Sequence, residues 1–242
     1  MPKKKVTFIF YLVFGIILFL FSYELTSFLS QKEEQKALQK GFQQMLEKQN
    51  DNLPLLFESL TKQNEDTIGW IRVLDTDVDY PVVQSEDNLY YLNHSFFQQE
   101  SEAGFIFADY RNDFSTLNKN NIIYGHGRLD GTMFGSLQKM LSQEWFSKKE
   151  KHYILFLTPT SSSIWQIFSV YTIQKEGYYL TTYFSDDSYF LTFLNIIKDR
   201  SVFDFPVDLT VDDKILTLST CQDNFGKRMV VHAKLIEKET TN

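Results

Sequence analysis

Beyond Asp66 the chain breaks into short apolar runs separated by polar stretches. Ile68–Val73, Tyr80–Val83, Gly104–Phe107, Asn121–Tyr124, Tyr153–Leu157, Ile164–Tyr171, Lys214–Leu218 and Met229–Leu235 are rich in β-branched and aromatic residues. Runs of this length and composition read as strands. Eight of them in succession predict a mainly β domain, closed as a barrel or stacked as a sandwich. The period changes at Asp87–Leu92, at Met133–Leu141 and most clearly at Asp187–Lys198, where Tyr189, Phe190, Phe193, Leu194 and Ile197 trace one apolar helical face. That last helix falls between two predicted strands near the end of the chain.

The first 65 residues follow another pattern. Three lysines at Lys3–Lys5 precede Val6–Ser22, a 17-residue run without a charge. As a helix it is roughly 26 Å long, at the short end of what spans a bilayer core. The lysines favour the cytoplasmic side, which predicts a single-pass cell-membrane protein with everything after Tyr23 outside. No small-x-small cleavage site follows the run, so a retained signal-anchor is expected in preference to a cleaved signal peptide. In the polar stretch from 24 to 65, strong helix formers dominate at Lys32–Lys40, and Leu38, Phe42, Met45 and Leu46 share one side of a helix. Pro54 interrupts this stalk, and Leu53, Leu55, Leu56, Phe57 and Leu60 begin a second short helix. Periodicity does not separate a spacer from a helix packed on the domain. The expected organisation is a basic tail at 1–5, an anchor at 6–23, helical segments at 24–65 and a β domain at 66–242.

Composition narrows the function. With 23 Phe and 13 Tyr against only 10 Gly and 5 Pro, the chain can bury one sizeable core. A net charge of −7 argues against nucleic acid, and no nucleotide-binding glycine loop is present. Four scattered histidines and one cysteine make a structural metal improbable, and no cofactor is expected.

That single cysteine, Cys221, ends the run Ile215–Cys221. On the outer face of a membrane it has no intrachain disulfide partner, so chemistry is the reason to keep it. A thiol attacks as thiolate, and at an ordinary pKa near 8.5 it needs a proton acceptor. His126 is the best candidate, because Tyr-Gly-His-Gly places it just after an apolar run and between glycines. His152 reads as solvated surface, His94 as a helix-end residue, and His232 as either core or surface within a strand. Arg228 follows Cys221 by seven residues, across a turn at Asp223–Lys227 that returns the chain as a neighbouring strand. Its guanidinium is a fixed cation suited to a developing oxyanion or to a substrate backbone.

Thr217–Cys221 followed by Arg228 on a Val-Val-His-Ala-Lys strand, with Tyr-Gly-His126 upstream, resembles the sortases, membrane-anchored cysteine transpeptidases of Gram-positive bacteria. Thr67–Arg72, Asp79–Val83, Asn88–Leu92 and Gly104–Asn112 resemble the class B branch. The resemblance implies a closed eight-stranded β-barrel with N-terminal helices and a helix between the sixth and seventh strands. It places Cys221 and Arg228 on adjacent strands and His126 at the rim. It further implies that Cys221 cleaves a C-terminal sorting signal after Thr through a thioester, with His126 as acid and base. Arg228 and the Gln222 backbone N–H would hold the oxyanion, with the Thr220 hydroxyl nearby and Asp223 a weak candidate for orienting His126. Tyr178, Tyr179 and Tyr183 would wall the peptide groove.

The implied partners are surface proteins or pilins bearing a sorting signal and an amine acceptor. The wording around His126 and the short Cys-to-Arg turn resemble the pilin-polymerising streptococcal subgroup, which would make the acceptor a pilin lysine. A peptidoglycan cross-bridge amine is the other acceptor. The lid and C-terminal span of class C enzymes are missing from the sequence. An anchored cysteine hydrolase and a non-catalytic surface-binding module are the competing readings.

Overall fold

The computed structural model describes residues 14–23, 26, 53–174, 176–220 and 226–240. Met1–Lys48 and Gln49–Asn242 form two compact units. In the first, residues 14–23 are helical and exposed. The rest of the expected anchor and the stalk helix around Leu38–Leu46 lie outside the described residues. No described helix is long and apolar enough to cross a membrane.

The second unit contains a closed barrel of eight strands in the order β1-β2-β3-β4-β7-β8-β6-β5. Each strand falls on one of the eight predicted runs: β1 Thr67–Val73, β2 Asp79–Val83, β3 Phe107–Ala108, β4 Asn120–Gly125, β5 Tyr153–Thr158, β6 Ser161–Gln174, β7 Ile215–Thr220 and β8 Lys227–Thr240. Two of the adjacencies, β2 with β3 and β4 with β7, are parallel, and the other six are antiparallel. Closure leaves no open sheet edge. Ile71, Val82, Ile123, Phe156, Trp165, Leu218 and Val231 meet in the interior, all of them essentially inaccessible to water.

Helix α1 (Leu53–Gln63) holds Pro54 in its first turn, where a missing N–H breaks no helical bond. Leu53 and Phe57 are buried, so the second stalk helix packs with the barrel unit. Its end is tied by Asn64, whose Nδ2 donates to Tyr91 Oη at 2.8 Å and to Phe96 O at 2.9 Å. After the four-residue α2 (Gln143–Phe146), helix α3 (Asp187–Asp199) joins β6 to β7. Asp186 caps α3 by accepting from Tyr189 N, and Phe190, Phe193, Leu194 and Ile197 bury the predicted face. Ser169 Oγ donates to Ile197 O, which clamps the end of α3 onto β6.

The structure departs from the sequence expectation at four places. Asp87–Leu92 holds only one 3-10 turn, at Tyr90–Leu92, and Met133–Leu141 is a 3-10 helix over Gly135–Leu141. Gly104–Phe107 pairs only at its end, because Gly104 sits at φ +56° and turns the chain away from extended geometry. His152 is buried, not solvated: Trp145, Phe146 and Phe205 surround its ring, and burial lowers its pKa. The run of lysines before it suggested surface, but α2 folds its aromatics back over that ring.

Candidate active site

β4 and β7 run parallel, with Gly125 opposite Thr220. The next residues in the chain are His126 and Cys221. β8 lies antiparallel on the other side of β7, with Ser219 opposite Val230, and Met229 N donates to Thr220 Oγ1 at 2.8 Å. Arg228 precedes Met229. Adjacent strands thus deliver His126, Thr220 and Arg228 to one end of the barrel. Cys221, Gln222 and Asp223 lie outside the described residues.

His126 is half-buried, and its Nε2 lies 2.7 Å from Leu92 O. A carbonyl only accepts, so Nε2 carries the proton and Nδ1 is the nitrogen left to exchange one. Gly104 leaves the ring its space, since a Cβ there would lie 2.8 Å from His126 Cδ2 and 2.6 Å from Leu92 O. The backbone of His126 is tied to the loop beyond, where Phe134 N donates to His126 O at 2.9 Å.

Arg228 Nη1 donates to Tyr179 Oη at 3.3 Å, and that phenol is 3.1 Å from Ser219 Oγ. The guanidinium Nε is buried with no hydrogen-bond partner among the described residues. An unsatisfied charged donor in such a place is costly unless something else accepts from it.

His126, Thr220 and Arg228 line a single groove of about 960 Å³. Leu92, Leu180, Thr181, Thr182 and Tyr183 contribute to its walls, and among the described residues no carboxylate does. Of the three tyrosines suggested by sequence, Tyr183 lines the groove and is 79% exposed. Tyr179 is fully buried behind the wall, where it supports Arg228, and Tyr178 is half-buried with its ring against Arg200. His94 stacks on Tyr90 at a 3-10 end, and His232 is wholly buried.

Sequence reasoning missed a second cation in the groove, Arg111. Its Nε and Nη2 donate to Asp109 at 2.8 and 2.6 Å, and Nη2 also reaches Leu180 O at 3.0 Å. Burial alone would raise the Asp109 pKa, but the bonds from Arg111 and from Tyr124 Oη outweigh it and hold the carboxyl below its usual range. The Asp-Tyr-Arg run was visible in the sequence. Only the fold shows that a buried carboxylate aims this guanidinium into the groove.

The Sortase domain family model matches residues 71–236. Sortase B of Staphylococcus aureus (strain NCTC 8325 / PS 47) is 36% identical over 245 residues, spanning 98% of this chain and 99% of that protein. The chain belongs to the class B sortases. It is therefore a cysteine transpeptidase. The Staphylococcus aureus sortase B–substrate complex superposes on this sortase with a TM-score of 0.73 at 38% identity, covering 86% of this chain and 99% of that one. A sortase B complexed with triglycine gives the same TM-score of 0.73 at 37% identity, over 86% and 98% of the two chains. The closed eight-stranded mixed barrel with a few helices matches the sortase fold.

Proposed function

We propose that Cys221 is the nucleophile, His126 the acid and base, and Arg228 the cation that steadies the oxyanion. The thiolate attacks the carbonyl after Thr in a C-terminal sorting signal, and the tetrahedral centre collapses with loss of the amine. His126 Nδ1 supplies the proton to that nitrogen, leaving a thioester on Cys221. An incoming primary amine then gives a proton back to His126 and attacks the thioester, forming the new amide and releasing the thiolate. The observation that carries this reading is the convergence of His126, Arg228 and Thr220, the residue before Cys221, on one peptide-sized groove. The Nε2 bond to the Leu92 carbonyl supports His126 as a proton carrier, because it fixes which nitrogen faces the chemistry. The buried Arg228 Nε without a described partner supports an acceptor arriving with the substrate.

The acceptor is read as an amine of the cell-wall peptide, which makes the enzyme an anchor of surface proteins. Its relatives are sortase B enzymes, and one sortase B structure similar to this chain is complexed with triglycine, a peptide with a primary amine at its N-terminus. The short connection from Cys221 to Arg228 remains the feature that favours a pilin lysine. Residues 6–23 are read as the anchor that leaves the catalytic unit outside the membrane.

Mass spectrometry of the purified enzyme with sorting peptides tests the reading. An acyl adduct on Cys221 that triglycine converts to an amide is expected. Resolution only by a lysine side chain would move the acceptor to a pilin, and resolution only by water would make the protein a hydrolase. Absence of any adduct on Cys221 would sink the nucleophile assignment.

A further inference from the structure

Four neighbouring barrel strands carry a buried polar thread on the face turned away from Ile123, Leu218 and Val231, and the reaction does not use it directly. Tyr171 on β6, His232 on β8, Thr217 on β7 and Asn120 on β4 are all buried to within 2%. Tyr171 Oη lies 2.9 Å from His232 Nε2, His232 Nδ1 lies 2.8 Å from Thr217 Oγ1, and Thr217 Oγ1 lies 2.6 Å from Asn120 Oδ1. Asn120 Nδ2 then reaches Tyr179 O at 3.1 Å and Thr181 O at 2.9 Å.

The direction of every bond follows from the far end. Two backbone carbonyls can only accept, so the Asn120 amide nitrogen faces them and Oδ1 faces Thr217. Thr217 must therefore donate its one proton to Oδ1 and accept from His232. His232 then carries its proton on Nδ1, and Nε2 accepts from Tyr171. Burial pushes His232 down to about 3, so the ring stays neutral and this tautomer persists. The chain of donors has a single sense, from Tyr171 to the backbone of the segment at 178–181.

That segment is the groove wall. Leu180, Thr181, Thr182 and Tyr183 line the groove, and Tyr179 is the residue that accepts from Arg228. Its internal bonds are few: Leu180 N to Gly177 O, and Thr181 N and Oγ1 to Tyr178 O. The 3-10 turn is too short to hold its own position. Its remaining carbonyls are held from outside the segment, Leu180 O by Arg111 in the β3–β4 loop and the flanking two by Asn120 on β4.

We infer that Thr217, His232 and Asn120 are positioning residues, a buried relay that holds the 178–181 wall, and with it the Tyr179 support of Arg228, in the geometry that accepts the sorting signal. The inference rests on the reading of the groove as the peptide site. An apolar core at these positions would pack as well or better, so a polar thread confined to the strands beneath the wall needs a reason beyond packing.

Thr217→Val is nearly isosteric, removes the relay hydroxyl, and leaves Asn120 Oδ1 and His232 Nδ1–H without it. Hydrogen exchange by mass spectrometry in the intact chain should show amides 178–183 exchanging about 10-fold faster, with β5 unchanged. KM for the sorting peptide should rise by a similar factor, about 10-fold, with a smaller change in kcat. Thr217→Ser keeps the hydroxyl and should restore both. If Thr217→Val does not fold, Asn120→Ser takes its place, since it keeps a hydroxyl for Thr217 but withdraws the donors from the wall. Unchanged exchange at 178–183 in a folded variant overturns the inference, as does failure of Thr217→Ser to restore it. Exchange is read without turnover, so an inactive wild-type enzyme would count against the proposed function and leave this test intact.

Discussion

Arg228 illustrates how much one residue's surroundings add to its place in the sequence. Spacing from Cys221 put it across a turn, and the β7–β8 pairing bears that out. Its contact with Tyr179, 49 residues away, was not legible, because it depends on the fold of a loop whose tyrosines look alike in sequence. A planar guanidinium bonds Tyr179 through Nη1 and presents Nε from a second nitrogen in the same fixed plane; an ammonium has donors on one nitrogen only and lacks that fork. Arg228→Lys is therefore expected to lower kcat/KM by about 100-fold or more, the scale of losing an oxyanion donor. Tyr179→Phe, which removes only the supporting phenol, should cost less. Steady-state kinetics beside melting curves check this, and near-normal turnover in Arg228→Lys would refute the oxyanion role. His232 gives a second prediction. Its pKa falls from 6.5 to about 3 on folding, so above pH 6.5 neither state is protonated and its contribution is complete. As pH falls below 6.5 the unfolded chain binds a proton that the folded barrel refuses, and stability drops by up to about 1.4 kcal/mol per pH unit. Buried His152 adds a loss of the same sign. Urea titrations from pH 7 to 4 should show a shallower decline in His232→Gln than in wild type, and parallel declines would contradict the assignment.

At the scale of elements, period and composition found all eight strands and α3, since each buries a regular face. The 3-10 turns and α2 were blurred or missed, because their geometry is set by caps and tertiary contacts rather than by a repeating apolar face. The Asp87 carboxylate, for instance, accepts from Leu89 N and Tyr90 N to start the turn that ends at Leu92. That turn places the Leu92 carbonyl against His126, and Gly104 is the element that lets the two approach. Gly104 has φ +56°, and a Cβ there would lie 2.7 Å from Tyr91 O as well as against Leu92 O and the His126 ring. Gly104→Ala must shift backbone on one side or the imidazole on the other. Stability should fall by about 1–2 kcal/mol from the strained dihedral and the clash. Turnover should fall by more than that loss explains, about 10-fold or greater in kcat, because His126 is moved from its Leu92 acceptor. Kinetics at a temperature where the variant is fully folded decide it. Wild-type kcat would show that the Leu92 bond does not set the histidine.

For the whole molecule, the sequence placed the start of the catalytic domain at residue 66, where strand-like periodicity begins. The compact unit begins earlier, at Gln49, because α1 adds its apolar face to the barrel. Periodicity alone shows that Leu53, Phe57 and Leu60 share a face; whether that face meets a partner depends on the surface presented by residues far away in the chain. Here Leu53 is 0% and Phe57 2% exposed, and Leu60 packs beside Tyr91 and Phe96. Asn64 closes the junction by donating to Tyr91 Oη and Phe96 O, while its backbone O accepts from Thr67 Oγ1 at 2.7 Å. A chain that starts at Asp66 loses both buried side chains and uncovers the polar groups that Asn64 satisfied. At about 1.5–3 kcal/mol for each buried side chain, the apolar loss alone is roughly 3–6 kcal/mol as an upper bound. For a domain of this size each kcal/mol moves Tm by about 2–4 °C, so a drop of about 10 °C relative to a chain starting at Gln49 is expected. The same segment leads into Tyr91 and Leu92, the turn that holds His126, so the truncated enzyme should lose acyl transfer at temperatures where the barrel remains folded. Calorimetry of the two chains, paired with acyl-enzyme formation at about 20 °C below each Tm, separates the two effects. Equal melting temperatures would show that α1 lies on the barrel without supporting it, and equal acylation would show that its support stops short of the histidine.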